Sequence, residues 1–556
     1  EIYDELKNSG DSYKDVRKEI QDIWFSFKFN LICSHSPVVC LLWFKIAFLA
    51  AATLNFAVQA VYFTHMLQLN SYRPERYKKW CTDNDKKLVT VPRVLPFLCV
   101  LSLWLAGKGE AGILYAVCTA VLLLTAILNW PRKAKKPLVV TARVRRLFLT
   151  QGVLCAALLC TVLLPAYRGV ALIGVANIVV WLFTGVANLI NIPFENAIAK
   201  GFVKDAAKRL EAMPHLTVVG ITGSYGKTSV KNYLNALLSA KYNVLMTPGS
   251  YNTTMGVVRT IREMLRPSHE IFIAEMGAKQ TGDIKEICDL VHPKYGIISS
   301  IGEQHLETFG SVDNIISTKF ELADAIPADG FAILNYDNEY IRSRAVTVPT
   351  VTYGDADSGA GYRYSDMAVD THGCQFTLTA PDGESCRYTT HLLGAHNIQN
   401  LAGCMALAHT LGISLKEMVY PVRLIKTVEH RLQLLPNGYI DDAYNSNPAG
   451  FRSALDTLAA FDAQRVLVTP GMVELGDRQD ALNRELGEYA ATRCDWAVLV
   501  GLKQAPPLKE GLLAGGFPEE KIFVAATLQE GLNFVNNLPR DGERIVLLEN
   551  DLPDNF

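Results

Sequence analysis

Thr217-Val218-Val219-Gly220-Ile221-Thr222-Gly223-Ser224-Tyr225-Gly226-Lys227-Thr228-Ser229 is the stretch on which the reading of this chain turns. A β-branched apolar run enters a glycine-punctuated turn, and Gly-Lys-Thr-Ser then opens a segment that reads as helix through Leu238. A strand, a glycine loop and a helix start in that order make a phosphate cradle. The loop N–H groups and the positive end of the helix face one anion. ATP fits such a cradle, held along Thr222, Gly223, Ser224, Tyr225, Gly226 and Ser229. Lys227 would reach the β- and γ-phosphates, and the Thr228 hydroxyl would sit on Mg2+. The full Walker pattern has a glycine where Ile221 stands, so the loop is a shortened variant. The competing reading is an ordinary strand-to-helix turn, and the apolar strand before the loop weighs against it.

At 556 residues the chain is too long for one domain, and about 150 residues per domain suggests three or four. A net charge of −1 gives no case for a nucleic-acid partner. The 12 cysteines are scattered without a CxxC pair, which argues against a zinc cluster or disulfide framework. Free thiols in a reducing compartment are the simpler reading. The sequence opens on Glu1 rather than Met, so its natural start is an open question, and no cleavable signal peptide is read in it. Residues 1–36 suggest no role beyond a short amphipathic helix.

Apolar runs follow at about Val38–Phe63, Val94–Ala106, Ala111–Trp130, Leu147–Ala166 and Val170–Ile192. A bilayer crossing takes about 20 apolar residues, which four runs supply and the second approaches. The expectation is a membrane domain over 37–200 with about five helices. Arg73, Arg76, Lys78, Lys79, Lys86 and Lys87 crowd one loop, and Arg132, Lys133, Lys135, Lys136, Arg143, Arg145 and Arg146 another. Basic loops stay inside, so the chain beyond Lys200 is expected in the cytoplasm, where ATP is. Apart from Glu195 the spans carry almost no acid, which gives a charged transport path little support. Lys45 is the odd residue, of the kind that snorkels.

Beyond Lys200, short apolar strands at Val244–Thr247, Ile271–Glu275, Tyr295–Ile301 and Phe331–Asn335 alternate with helical patterns, which implies a mostly parallel sheet covered by helices. Residues 350–393, with Pro381-Asp382-Gly383 inside, read as an antiparallel β insert. From Tyr439 the alternation resumes. The expected layout is a P-loop-type ATPase domain over 201–426 and a smaller Rossmann-like α/β domain over 427–556.

Polar residues just past such strands sit where open α/β sheets hold ligands. Glu275 ends one strand, His305 follows another and Lys319 starts a helix. Singly, each has a plain structural explanation: a cap, a loop histidine, a solvated lysine.

Together with the phosphate loop, these residues resemble the Mur ligase family of ATP-dependent amide ligases. The resemblance rests on Thr-Gly-Ser-Tyr-Gly-Lys-Thr-Ser, Tyr-Asn-Thr-Thr-Met-Gly-Val, Ala-Glu-Met-Gly-Ala-Lys, His-Leu-Glu-Thr-Phe-Gly-Ser, Leu-Gly-Ala-His-Asn-Ile-Gln-Asn, His-Arg-Leu-Gln and Asp-Asp-Ala-Tyr-Asn-Ser-Asn-Pro, in family order. It is nearest to the branch that adds D-alanyl-D-alanine to a peptidoglycan precursor. The resemblance implies that Lys227 and the loop hold ATP and that Thr228 and Glu275 hold one Mg2+. It also implies that His305 binds a second Mg2+ and that Lys319 carries a carbamate. Asn397 and Asn400 would contact adenine, and Arg431 and Asp442 phosphate and ribose. Asn252, Tyr444, Asn445 and Asn447 would face substrate. The implied partners are a carboxylate donor, an amine of the D-Ala-D-Ala kind and the lipid bilayer, with the ligase domains on the cytoplasmic face of the cell membrane.

Three departures stand out. Asn252-Thr253-Thr254-Met255-Gly256 replaces the usual Asn-Asn-x-x-Gly, the C-terminus lacks the family's Lys-Gly-Ser-Arg, and apolar runs occupy the place of the UDP-sugar-binding domain. The expectation is therefore an ADP-forming ligase working through an acyl phosphate on peptidoglycan precursors. The alternatives are a ligase for another product such as a glutamate-type polymer, an ATP-driven transporter, and a catalytically dead scaffold.

Overall fold

The structure is a computed structural model. It describes residues 37–105, 111–130, 137–160, 175–303, 306–370, 373–443, 447–473, 475, 478–502, 505–540 and 542–551. The chain divides into two compact units between Ile198 and Ala199.

The first unit is helical. Its apolar runs form the helices Pro37–Leu69, Val91–Leu105, Ala111–Leu128 and Ala142–Cys160, and the helix Val180–Glu211 begins in it. Of these, only Leu42–Leu69 is long and apolar enough to cross a membrane by length and composition among the described residues; Val91–Leu103 and Ile113–Leu128 are shorter apolar helices. The expectation of about five such helices thus reduces to one by this measure. Arginines 143, 145 and 146 lower the apolar content of Ala142–Cys160, and residues 161–174, which hold the end of the fourth run and the start of the fifth, lie outside the described residues. The unit has an apolar core around Phe56, Phe63, Leu67 and Leu147, with some polar groups buried inside it and large apolar side chains on its surface. Asn55, Gln59, Thr64 and Thr184 are fully buried, whereas Trp43, Ile113, Ile127 and Leu149 are exposed. Inside, Gln151 Nε2 donates to Thr64 Oγ1 (3.2 Å) and Thr184 Oγ1 (3.0 Å), and Asn55 Nδ2 donates to Asn177 Oδ1 (3.1 Å). Arg146 grips Glu195 through two hydrogen bonds of 2.6 and 2.7 Å.

The second unit holds two sheets. In the first, β1 (Thr217–Thr222), β2 (Val244–Met246), β3 (Ile271–Glu275), β4 (Tyr295–Ile298), β5 (Phe331–Asn335), β6 (Thr350–Asp355), β7 (Tyr362–Asp370), β8 (Gly373–Thr379) and β9 (Ser385–Thr390) lie in the order β2-β3-β1-β4-β5-β6-β7-β8-β9. β1, β3, β4 and β5 are nearly continuous apolar runs because helices cover both faces. Val219 and Ile221 point into one core with Val230, Leu234 and Leu401, while Val218 joins Phe272, Ile287 and Phe320 on the opposite face. The crossovers reverse direction at β1, which lies between β3 and β4, and such a switch point opens a crevice at the carboxyl ends of the strands.

The β insert differs from its expectation at its start. β6 pairs in parallel with β5 and β7, and only β7-β8-β9 is antiparallel. The run Val351–Tyr353 is half- to fully buried and extends the covered sheet, whereas β8 and β9 alternate buried with partly exposed residues. The turn Ala380–Glu384 closes the β8–β9 hairpin, with Gly383 at φ 91°.

The second sheet is built of β10 (Gln433–Leu434), β11 (Tyr439–Asp442), β12 (Gln464–Thr469), β13 (Trp496–Val500), β14 (Ile522–Ala525) and β15 (Arg544–Glu549), in the order β10-β11-β15-β12-β13-β14. All its pairs except β10–β11 are parallel. Phe451, Leu486, Leu499 and Leu547 fill one face and Val466, Val498, Val535 and Val546 the other.

Phe272, on β3, is fully buried under the helices that cover one face of the first sheet. Phe272→Ala should cost about 3–5 kcal/mol of unfolding free energy, read as a lowered urea midpoint with an unchanged slope.

Candidate active site

Parallel register aligns the ends of three strands. Ile221 of β1 lies beside Glu275 of β3, and Thr222 beside Ile298 of β4. The phosphate loop, the Glu275 carboxylate and the Ser299-Ser300 turn therefore emerge side by side.

The loop is held from below. Thr222 Oγ1 donates to the Met276 carbonyl (3.1 Å), Ser224 N to the Ser300 carbonyl (2.7 Å) and Ser299 Oγ to the Tyr225 carbonyl (2.6 Å). Gly226, at φ 78°, caps the helix Lys227–Leu238. A Cβ there would stand 2.6 Å from Asn400 Oδ1, so glycine is required twice over. Lys227 folds its ammonium back onto the loop, donating to the Gly223 (2.7 Å) and Ser224 (3.0 Å) carbonyls. Burial brings its pKa down to about 8, Arg431 presses the same way, and Glu275 opposes both.

Glu275 is buried at the end of β3. Its Oε1 accepts from Thr228 Oγ1 (3.1 Å) and Asn252 Nδ2 (3.1 Å). Lys231 Nζ stands 2.9 Å from Oε2, an ion-pair distance, yet no donor is aligned on Oε2 for a hydrogen bond. Burial would raise this carboxyl, but Lys231 outweighs it, with Lys227 and Asn252 in support, and the pKa lies below the usual range. Lys319 is buried, its ammonium 5.9 Å from the Phe309 ring centroid. Burial first, and then the charge on Lys227, press its pKa well below that of a free lysine.

A cavity of about 450 Å3 opens beside the loop, lined among others by Tyr225, Gly226, Ser229, Asn400, Arg431, Asp442 and Asn447. Arg431 reaches to 3.5 Å from Thr228 Oγ1. Burial pushes the Asp442 carboxyl up, and its Oδ1 accepts from Leu432 N at 3.0 Å. Asn447 caps the helix Pro448–Ala459 by accepting from Gly450 N (2.9 Å).

Asn397 is spent elsewhere. It accepts from Tyr233 Oη (2.7 Å), donates to the Leu393 carbonyl (2.8 Å) and does not line the cavity. His305, Tyr444 and Asn445 lie outside the described residues. Sequence reasoning passed over Lys231, Ser299, Glu303, His396 and Arg478. Lys231 could have been found from its position four residues after Lys227, on the same helix face. Arg478 donates to both Glu303 carboxylate oxygens at 2.6 Å, a long-range pair with no local signal.

Among the described residues no group of three or more His, Cys, Asp or Glu could hold a metal. The donors present nonetheless suit Mg2+, which commonly binds one or two carboxylates plus phosphate oxygens and water. Thr228 Oγ1 and the Glu275 carboxylate that it contacts are such donors.

A glycine loop at the switch point of a parallel sheet, facing a second α/β domain across a polar cavity, defines a phosphate-loop nucleotide-binding protein. Residues 221–408 match the Mur ligase middle domain, and residues 430–548 the Mur ligase glutamate ligase domain. Through these two domains the chain belongs to the Mur ligase family. The UDP-N-acetylmuramoyl-tripeptide–D-alanyl-D-alanine ligase of Escherichia coli (strain K12) is 34% identical over 292 residues, which are 51% of this chain and 64% of that protein. The chain thus spans less than two-thirds of that relative. The MurF crystal structure from Acinetobacter baumannii aligns with a TM-score of 0.57 at 29% identity, covering 63% of this chain and 76% of that one. MurF ligase from Thermotoga maritima, solved in complex with ADP, aligns at 0.55 and 25% identity, covering 63% and 80%.

Gly226→Ala adds a left-handed strain of about 1–2 kcal/mol to the contact with Asn400, and nucleotide affinity should fall about tenfold or more in calorimetry. Lys227 gives a second prediction. Between about 8 and 10.5 the unfolded chain binds the extra proton, so the stability of the ligand-free protein rises with pH across that window. A bound polyphosphate favours the ammonium. Nucleotide binding at pH 8 should therefore take up a fraction of a proton, seen as a buffer-dependent heat that vanishes in Lys227→Met.

Proposed function

We propose that this protein is an ATP-dependent, ADP-forming amide ligase acting on cell-wall peptidoglycan precursors, as the named activity of its D-alanyl-D-alanine-adding relatives suggests. The observation that carries this reading is that the phosphate loop and Glu275 emerge together at the carboxyl ends of neighbouring strands, with Lys319 within electrostatic reach of Lys227. ATP supplies a phosphoryl group to a substrate carboxylate, and the acyl phosphate that results yields an amide when an amine attacks it. Mg2+, when bound, neutralises crowded phosphate oxygens.

In this scheme the loop amides and Lys227 hold the phosphates. Lys227 exchanges the Gly223 and Ser224 carbonyls for phosphate oxygens, keeping its ammonium stabilised through the transfer. Thr228 and Glu275 offer the metal donors, and Asn252 steadies Glu275. Asn400, Arg431 and Asp442 receive the nucleoside end along the cavity. His305 serves a second metal. Lys319, whose burial favours the free amine, is suited to capture CO2: its nitrogen forms a bond to carbon, a proton leaves, and an anionic carbamate oxygen results. Arg478 and Glu303 close the cavity from opposite sides, which shields the activated acyl group from water.

We assign the first unit to the membrane, with several helices in the bilayer and the ligase domains on its cytoplasmic face. Support comes from the large apolar side chains on its surface, with several amides and hydroxyls paired inside, a packing suited to a lipid surround. The tether would bring the ligase to a membrane-borne carboxylate donor, with a D-Ala-D-Ala-like dipeptide as the amine.

The test is ADP release by the detergent-solubilised protein across carboxylate and amine pairs that include D-alanyl-D-alanine. Release should require both, and Lys227→Ala should lower it by at least about 10²-fold. Release that ignores the amine would sink the ligase reading. Protein equilibrated with ¹³C-bicarbonate should show a carbamate carbon resonance that Lys319→Ala removes.

A further inference from the structure

Lys231 follows Lys227 by one turn of the helix Lys227–Leu238, and it is 1% exposed. Its Nζ stands 2.9 Å from Glu275 Oε2 and donates to the Gly249 carbonyl at 2.5 Å. It does not line the cavity beside the phosphate loop. The simplest reading is a buried ion pair that stabilises the core. Such pairs seldom stabilise more than apolar residues of the same size, because two charges must be desolvated. The partners of Lys231 suggest a different role.

Gly249 belongs to the loop Pro248–Asn252 that leads into the helix Thr254–Met264. At the far end of that loop, the Asn252 carbonyl accepts from Gly277 N at 2.7 Å and Asn252 Nδ2 donates to Glu275 Oε1. The loop and the carboxylate are thus tied at two points. Asn252 fixes Oε1, and Lys231 fixes both Oε2 and the Gly249 carbonyl. A shift of the loop toward or away from the cavity would pull on the ammonium that orients Glu275. A rotation of Glu275 would likewise release the loop.

We propose that Lys231 is a positioning residue that couples the orientation of Glu275 to the placement of the loop Pro248–Asn252. The inference rests on the reading of Glu275 as a magnesium ligand given above. Lys231 touches neither nucleotide nor substrate in this scheme. It holds Oε1 toward Thr228, where the metal binds, only while the loop is seated.

The test uses the full chain in detergent and the variants Lys231→Met, Lys231→Gln and Lys231→Arg. One readout is the rate of chymotryptic cleavage after Tyr251 without nucleotide. The others are the Mg2+ concentration that half-tightens a fluorescent ATP analogue, and the affinity for ADP without metal. Lys231→Met should be cleaved several-fold faster and should need about tenfold more Mg2+, the usual effect of losing a group that orients a metal ligand. Metal-free ADP binding should stay unchanged, a result that a general loss of folding would not give. Lys231→Gln keeps a donor for the Gly249 carbonyl but no charge, so its cleavage should stay near wild type while its Mg2+ requirement rises. Lys231→Arg should fall between wild type and Lys231→Met.

Wild-type cleavage and Mg2+ requirement in Lys231→Met would overturn the proposal. If that variant does not fold, an unchanged Mg2+ requirement in Lys231→Gln overturns it instead. A wild-type protein whose nucleotide binding ignores Mg2+ would defeat the reading of Glu275, a separate failure, and the cleavage rates would still decide the anchoring of the loop.

Discussion

Three parallel strands ending at one level are what the remainder of the site depends on. β3, β1 and β4 pair so that Glu275, Thr222 and Ile298 reach the same edge of the sheet. Hydrogen bonding fixes that register, and a slip by one residue would turn every side chain to the other face. Because the strands are covered on both sides, the chain can leave the sheet only at its ends, and there its polar groups collect. The helix that follows β1 then points its amino end at the same spot.

The site is electrostatically crowded before any ligand arrives. Lys227 and Lys231 stand near the buried carboxylate of Glu275, and Arg431 and Lys319 add positive charge around Lys227. Two of these cations, Lys227 and Lys319, are held below their ordinary pKa by burial. Burying several cations around one carboxylate is costly, so stability alone does not account for the cluster. A polyanion with a divalent metal resolves the imbalance, and this is the physical sense in which the site is preorganised.

Much of this was legible in the sequence because it is local. The strand-loop-helix order around Gly223–Lys227 dictates both the fold there and the anion it faces. Glu275 stands out because a carboxylate at the end of Ile-Phe-Ile-Ala has no core role. The apolar runs of the first unit gave helices, but their membrane character depends on which faces are outward, a matter of packing rather than composition. Asn397 shows the opposite limit. It looked like a ligand contact beside Asn400, yet Tyr233 and the Leu393 carbonyl take its side chain instead. Lys231, Arg478 and Glu303 acquire meaning only from partners 18 to 175 residues away. The parallel pairing of β6 was likewise invisible, since Val351–Tyr353 would suit either direction.

The way Lys227 rests on its own loop has a bearing on selectivity. With two carbonyls satisfying its ammonium, Lys227 presents no bare cation to passing anions. A small monovalent ion offers little beyond what those carbonyls provide and gains nothing by displacing them. Only a chain of linked phosphates, gripping backbone amides and ammonium at once, repays the exchange, so the loop acts as a threshold that simple salts do not cross.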